Sequence, residues 1–138
     1  MQNALTIALK FLKFRSRTVF EIGQKLRTKK IDDKEIKKTI EVLKRNKLLD
    51  DKNFAKMWVA DRNLLKPEGS YLLKMELKRL GVADEIIQDA LENQDEEKLV
   101  KQALESKSRL KNADFQKKAA FLQRRGFKTS VIYKVIKE

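Results

Sequence analysis

An all-helical chain of three tandem three-helix repeats, about nine helices in an elongated and curved body, is the fold this sequence predicts. Three observations carry the expectation. Apolar residues recur at helical spacing almost throughout the 138 residues, and no stretch sustains the alternation of a strand. Four Gly, one Pro and no low-complexity run leave little that resists folding. The third observation is an internal repeat.

Lys30-Ile31 aligns with Gly81-Val82 and with Gly126-Phe127, at offsets of 51 and 45 residues. Leu26, Leu77 and Leu122 then coincide upstream, as do Thr18, Gly69 and Asp114, all suited to a helix N-cap. Downstream, Ile36, Ile87 and Ile132 coincide, followed by Ile40, Leu91 and Ile136. Self-similarity at this period is the mark of stacked helical units. The repeats cover about 1–48, 49–94 and 95–138 of a single domain.

The elements follow in order. Helix one runs from about Ala4 to Phe14, with Leu5, Ala8, Leu9 and Leu12 on one face. Helix two starts at Thr18, where Thr18 and Glu21 form a capping box, and helix three at Asp32, where Asp32 and Glu35 repeat it. Asp50 caps helix four; Leu49 is placed to staple onto Phe54, and Phe54, Trp58 and Leu65 share one side. That helix ends near Pro67-Glu68-Gly69. Helix five spans about Ser70 to Leu80 with Gly81 as its left-handed cap, and helix six about Asp84 to Glu92. Helices seven to nine occupy about Glu96–Lys107, Phe115–Arg125 and Thr129–Lys137, with Gly126 capping the eighth. The aromatic and Leu stripes, Trp58 and Tyr71 included, read as packing residues.

Composition excludes much chemistry. The chain has neither Cys nor His, which removes disulfides, thiolate and imidazole metal sites and the commonest general base. Neither a phosphate loop, a nucleophile elbow nor a zinc spacing occurs. The acidic pairs Asp32-Asp33, Asp50-Asp51 and Glu96-Glu97 stand at helix starts, where capping and the macrodipole account for them. The expectation is a binding protein without cofactor or metal, not an enzyme. With no apolar segment of membrane-spanning length and no signal-peptide pattern at Met1-Gln2-Asn3-Ala4-Leu5, it is expected in the cytoplasm, as a monomer.

Charge points to the partner. Lys and Arg number 33 against 20 acids, a net +13, distributed as +8 over residues 1–50, −2 over 51–95 and +7 over 96–138. Two basic ends flanking a near-neutral middle suit a polyanion, because phosphates release counterions to such a surface. Lys34, Lys37, Lys38 and Arg45 share the polar face of helix three, which also reads as an ordinary solvated face. Arg15 and Arg17 precede the start of helix two, where backbone N–H groups and two guanidinium groups suit a phosphate or carboxylate. Arg124, Arg125 and Lys128 form a similar corner in the last repeat, and Lys74, Lys78 and Arg79 add sparser charge between. These twelve residues are the candidate contacts. A helix-turn-helix repressor or architectural DNA-binding protein, and a scaffold for an acidic protein, remain as alternatives.

Four segments in order carry a resemblance. Arg15-Ser16-Arg17-Thr18-Val19-Phe20-Glu21-Ile22 resembles the Arg-Pro-Arg-Ser-x-x-Glu-Leu opening of the bacterial RecX family. Leu48-Leu49-Asp50-Asp51-x-x-Phe54-Ala55, Glu76-Leu77-x-x-x-Gly81-Val82 and Arg124-Arg125-Gly126-Phe127 resemble its later motifs, so the resemblance covers nearly the whole chain. It implies three tandem three-helix repeats and a regulator of the recombinase RecA. Such a regulator binds the RecA–DNA filament along its groove and inhibits ATP hydrolysis, strand exchange and stimulation of LexA cleavage. RecA and single- or double-stranded DNA phosphates are the implied partners. The sequence departs from the family where Ser16 replaces Pro and Lys30 replaces a frequent Gly. The sequence is also expected to start almost at the first helix, where many members carry an N-terminal extension. A lysine is strained in a left-handed cap, so the Lys30 corner is expected to close differently.

Overall fold

Most helices begin where a side chain supplies an acceptor for an orphan amide. In the computed structural model, which describes residues 3–137 (Ser108 by its backbone alone), α1 (Ala4–Phe14), α2 (Val19–Thr28), α3 (Asp33–Arg45) and α4 (Asp51–Leu65) are capped by Asn3, Thr18, Asp32 and Asp50. α5 (Ser70–Arg79) and α6 (Asp84–Leu91) start at Gly69 and Ala83 without a side-chain cap. α7 (Glu96–Glu105) and α8 (Phe115–Arg124) are capped by Asp95 and Asp114, and α9 (Thr129–Lys137) closes the array. A single 3-10 turn at Ser108–Leu110 follows α7. Each capping side chain accepts the N–H three residues ahead at 2.8–3.1 Å. At Thr18 the box is closed both ways, with Thr18 N–H returning to Glu21 at 3.1 Å. At Asp32 the bond formed is the one from the Glu35 amide. No strand occurs among the described residues. Met1, Gln2 and Glu138, which the expected repeat boundaries include, lie outside them.

The middle helix of every repeat, α2, α5 or α8, ends at a corner of one design. Lys30, Gly81 and Gly126 take φ of 61°, 82° and 82°. The following N–H bonds back to Leu26, Leu77 or Leu122 at 3.1, 3.0 and 3.3 Å, while the corner N–H bonds to Arg27, Lys78 or Gln123 at 2.9–3.0 Å. This is a Schellman closure repeated three times. The expectation that Lys30 closes differently is overturned. Two hydrogen bonds and the packing of Ile31 with fully buried Leu26 and Ile36 outweigh a left-handed penalty of about 1–2 kcal/mol. Lys47, at φ 60°, closes the end of α3 in the same way.

Apolar residues gather into three cores, one for each group of three helices. The first joins Ala4, Ile7, Ala8, Ile22, Leu26, Ile36, Leu43 and Leu49. The second holds Phe54, Ala55, Val59, Leu73, Leu77, Val82 and Ile87, and the third is built around Val100, Phe121, Leu122, Phe127 and Ile132. All substantial helix–helix packing falls within a repeat. Several side chains depart from the expected pattern, among them Tyr71, which was expected to pack and is 66% exposed. Leu5 and Leu9 face outward, because α1 turns Ala4, Ile7, Ala8 and Phe11 inward and the small alanines admit α2 and α3 closely. Leu65 is 82% exposed, since α4 is 15 residues long and the helix it packs on, α6, has only 8. Leu49 belongs to the first core, whereas Phe54 anchors the second.

Between repeats the same junction is made twice. The N-terminus of one middle helix sits on the corner of the next repeat's middle helix. Thr18 Oγ1 donates to Leu80 O at 2.6 Å and Val19 N–H to Asp51 Oδ1 at 3.0 Å. One repeat on, Gly69 N–H donates to Arg125 O at 2.6 Å and Ser70 N–H to Glu96 Oε1 at 2.8 Å. The first residue of α4 or α7 thus caps the preceding repeat's middle helix. A Cβ at Gly81 would lie 2.2 Å from that of Phe20, one at Gly126 would lie 2.6 Å from that of Leu72, and one at Gly69 would lie 2.1 Å from Gly126 O. Close approach requires glycine at all three positions, and positive φ adds to it at Gly81 and Gly126. Lys30 is exposed and receives no preceding helix. Gly81→Ala is therefore expected to lower the urea-unfolding free energy by about 2–3 kcal/mol, through left-handed strain plus overlap with Phe20. Lys30→Gly is expected to leave it unchanged or raise it by up to about 1 kcal/mol.

Candidate functional site

A cation on a long flexible stem is available to a partner to the extent that the fold leaves it exposed. By that criterion the twelve candidates divide. Lys34, Lys37, Lys38 and Arg45 are all exposed on α3, opposite buried Ile36, Thr39 and Leu43. Arg79, Arg124, Lys128 and Lys74 are exposed as well. Lys78 is exposed with its Nζ 3.4 Å from Asp84, a weak surface pair. Arg27 and Asp33 form the equivalent pair in the first repeat at 3.7 Å.

Arg15, Arg17 and Arg125 are held differently. The Arg17 guanidinium stacks 3.7 Å over the Phe11 ring, donates to Phe11 O at 3.3 Å and lies 3.6 Å from Glu21, leaving its side chain 13% exposed. Burial pulls its pKa down, helped by Arg15 and opposed by Glu21. Arg15 pairs with Glu21 through both guanidinium nitrogens while remaining 41% exposed. The α2 N-terminus beside them is filled from within, by Glu21 on Thr18 N–H and by Asp51 on Val19 N–H. Burial holds the Asp51 carboxyl above its ordinary range, with the Val19 amide opposing. Arg125 lies 4.8 Å over the Phe121 ring and donates to Pro67 O at 3.0 Å across the second junction. It, too, has its pKa lowered by burial. Arg17 and Arg125 thus hold the fold together, and in the 15–17 corner Arg15 presents the accessible charge.

The structure also gathers two cations that were not singled out, Arg109 and Lys117, beside one that was. Arg109, Lys117 and Arg124 surround a hollow of about 560 Å³, whose remaining walls are Leu110, Asn112, Ala113 and Ala120. No carboxylate lines it. Lys117 and Arg124 stand seven residues apart on one face of α8, and the fold of the third repeat brings Arg109 of the 3-10 turn to them. The excess of +7 over residues 96–138 and the helical spacing of Lys117 and Arg124 were the sequence signals of this cluster; nothing in the chain pointed to Arg109. A second hollow, of about 280 Å³ between repeats one and two, is floored by stacked Phe54 and Trp58. Arg15, Arg17 and Lys47 line it together with Asp50 and Asp61, so cations and acids are mixed along its wall. No group of three or more His, Cys, Asp or Glu able to hold a metal occurs among the described residues, and none of their helices is long and apolar enough to cross a membrane.

This division has a measurable consequence. Arg17→Ala and Arg125→Ala are each expected to destabilise the chain by about 1–3 kcal/mol in urea unfolding, because ring stacking and buried hydrogen bonds disappear. Lys34→Ala and Arg124→Ala are expected to stay within about 0.5 kcal/mol of the parent.

Comparison with known proteins places the fold. Residues 4–43 match the family model of the first three-helix domain of RecX, and residues 50–91 that of the second. The regulatory protein RecX of Chlorobaculum tepidum is 35% identical over 98% of this chain and 87% of its own length. That of Oceanobacillus iheyensis is 33% identical over all of this chain but only 54% of its own length, and that of Leuconostoc citreum is matched over 34% of its length. The chain therefore spans about half or less of some relatives and most of others. The crystal structure of RecX from Lactobacillus salivarius superposes with a TM-score of 0.85, covering 97% of this chain and 92% of that one at 25% identity. Two domain matches in register, a relative aligned along nearly its whole length and a shared fold together show that this chain belongs to the RecX family of regulatory proteins.

Proposed function

We propose that this chain regulates RecA by binding the RecA–DNA filament in its groove, as a cytoplasmic monomer that carries out no chemistry of its own. Binding restrains ATP hydrolysis, strand exchange and the coprotease activity together, because each requires subunits to move or exchange. The observation that carries the reading is the distribution of free charge. The α3 face with Lys34, Lys37, Lys38 and Arg45 lies in the first repeat, and the Arg109–Lys117–Arg124 hollow lies in the third. Between them stands a near-neutral repeat that joins both through two closely similar junctions. A protein with basic sites at both ends and a middle that repels neither protein nor phosphate suits binding to DNA phosphates at more than one place along a filament. The middle cations Lys74, Lys78 and Arg79, together with Arg15 and Lys128, are assigned to the RecA surface or to nearby phosphates.

The test is RecA's single-strand-dependent ATPase with this protein added below one molecule per RecA. Suppression is expected for the parent, and its absence at concentrations where the protein binds DNA overturns the reading. Lys34→Glu/Lys37→Glu/Lys38→Glu and, separately, Arg109→Glu/Arg124→Glu are expected to weaken inhibition about tenfold or more without unfolding. Each is expected to flatten the salt dependence of binding to single-stranded DNA, by about 0.7 in log–log slope for each phosphate no longer neutralised. A sequence-specific footprint on duplex DNA without RecA would instead support a helix-turn-helix repressor.

A further inference from the structure

The second junction contains a buried acid that capping does not explain. Glu68 is 3% exposed and lies between two residues that both bond to Arg125. Pro67 O accepts from the Arg125 guanidinium at 3.0 Å, and Gly69 N–H donates to Arg125 O at 2.6 Å. Its side chain turns inward and meets the Glu76 carboxyl, while its own Oε2 has no hydrogen-bond partner in the protein. Glu76 in turn accepts from Trp58 Nε1 at 3.3 Å and lies 3.4 Å from Arg62 Nε. The charged groups facing this pair are Arg62 from α4, Lys66 from the linker, Glu76 from α5 and Arg125 from the corner between α8 and α9. At the first junction the position of Glu68 is held by Arg17, which stacks on Phe11 and faces Glu21. A like-charged carboxyl pair is thus particular to the second junction.

Two carboxylates cannot share a dry site without a proton between them. We propose that the Glu68–Glu76 pair is a proton-operated latch on the junction between repeats two and three. Holding one proton, it seats residues 67–69 on Arg125; releasing that proton to solvent, it loosens them. With the proton in place, Glu68 donates to an ionised Glu76 that Arg62 and Trp58 also hold. Once the proton leaves, two negative charges repel in a buried site. The linker segment that also carries the Pro67 and Gly69 bonds must then shift to let Glu68 reach water or the Arg125 guanidinium. Burial first, and then the Glu76 carboxyl, push the Glu68 pKa up to about 7, so the release falls near neutral pH. The sign follows from linkage. A carboxyl whose folded pKa is raised from 4.5 contributes stability that is fully present below about pH 4.5 and is lost as pH rises through about 7.

Trp58 is the one tryptophan of the chain, and its indole N–H bonds the carboxylate of the pair, so the protein carries its own reporter. Its emission is expected to change in a single step with a midpoint near pH 7 in the full-length protein and to lose that step in Glu68→Gln. Exchange protection of the Gly69 amide, which bonds Arg125 O, is expected to fall about tenfold between pH 6 and pH 8, after correction for intrinsic exchange. In Glu68→Gln that protection stays level. A parent protein with no emission step between about pH 5.5 and 8.5, a step that persists in Glu68→Gln, or level Gly69 protection in the parent each overturns the latch. The parent measurements stand alone, so the proposal is decided even if the variant folds poorly.

Discussion

One interaction recurs and the rest of the molecule is arranged around it: a middle-helix N-terminus seated on the corner of the next repeat's middle helix. The corner supplies a cap carbonyl, Leu80 O or Arg125 O, for a donor on the incoming N-cap residue. The next repeat's first helix supplies a carboxylate, Asp51 or Glu96, for the first helical amide. Because the helix N-terminus brings its own partial positive charge, a carboxylate from a neighbouring repeat stabilises it more than solvent does. The backbones approach so closely that Gly81 and Gly126 admit no side chain. Each repeat buries a small core of its own, so the relative placement of repeats rests on these few directed bonds.

That economy explains how a basic protein keeps its charges available. Three small cores take up the buried apolar residues, and the acids are mostly drawn to helix starts. There they cap their own helix, as Asp32 and Asp50 do, or the preceding repeat, as Asp51 and Glu96 do. Acids engaged in capping are not available to neutralise the lysines of α3 or the Arg109–Lys117–Arg124 hollow. The two junctions differ in the residue just before the N-cap. Arg17 is satisfied by Phe11 and Glu21, whereas Glu68 faces another acid. The quasi-symmetry of the backbone is thus kept while the electrostatic character of the two joints is opposite.

Much of this was legible in the chain, because helix starts, corners and core positions depend on neighbours within a turn or two. Thr18, Asp32, Asp50 and the glycine corners announce themselves by residue type and offset, and Leu26, Leu77 and Leu122 are all fully buried as the repeat register requires. The departures have a common source. Period alone points Leu5, Leu9 and Leu65 inward, and a period does not say which part of a stripe meets a partner or where a neighbouring helix stops. The intrinsic dislike of Lys30 for left-handed backbone is likewise a local preference, which two hydrogen bonds and buried neighbours override.

Residue order and side-chain chemistry alone were enough for the helices, their threefold repetition, the absence of His and Cys chemistry and the two basic ends, since all of these are short-range or additive properties. Which cations are free is neither. Arg17 and Arg125 look in the chain like their neighbours Arg15 and Arg124, yet a ring and a carbonyl or carboxylate claim each of them. Arg109, separated in sequence from Lys117 and Arg124, joins them at one hollow. The pairing of Glu68 with Glu76, beneath an arginine about fifty residues away in the chain, has no sequence signature at all. Availability, burial and like-charge proximity depend on distances between elements, and those come into existence only when the repeats dock.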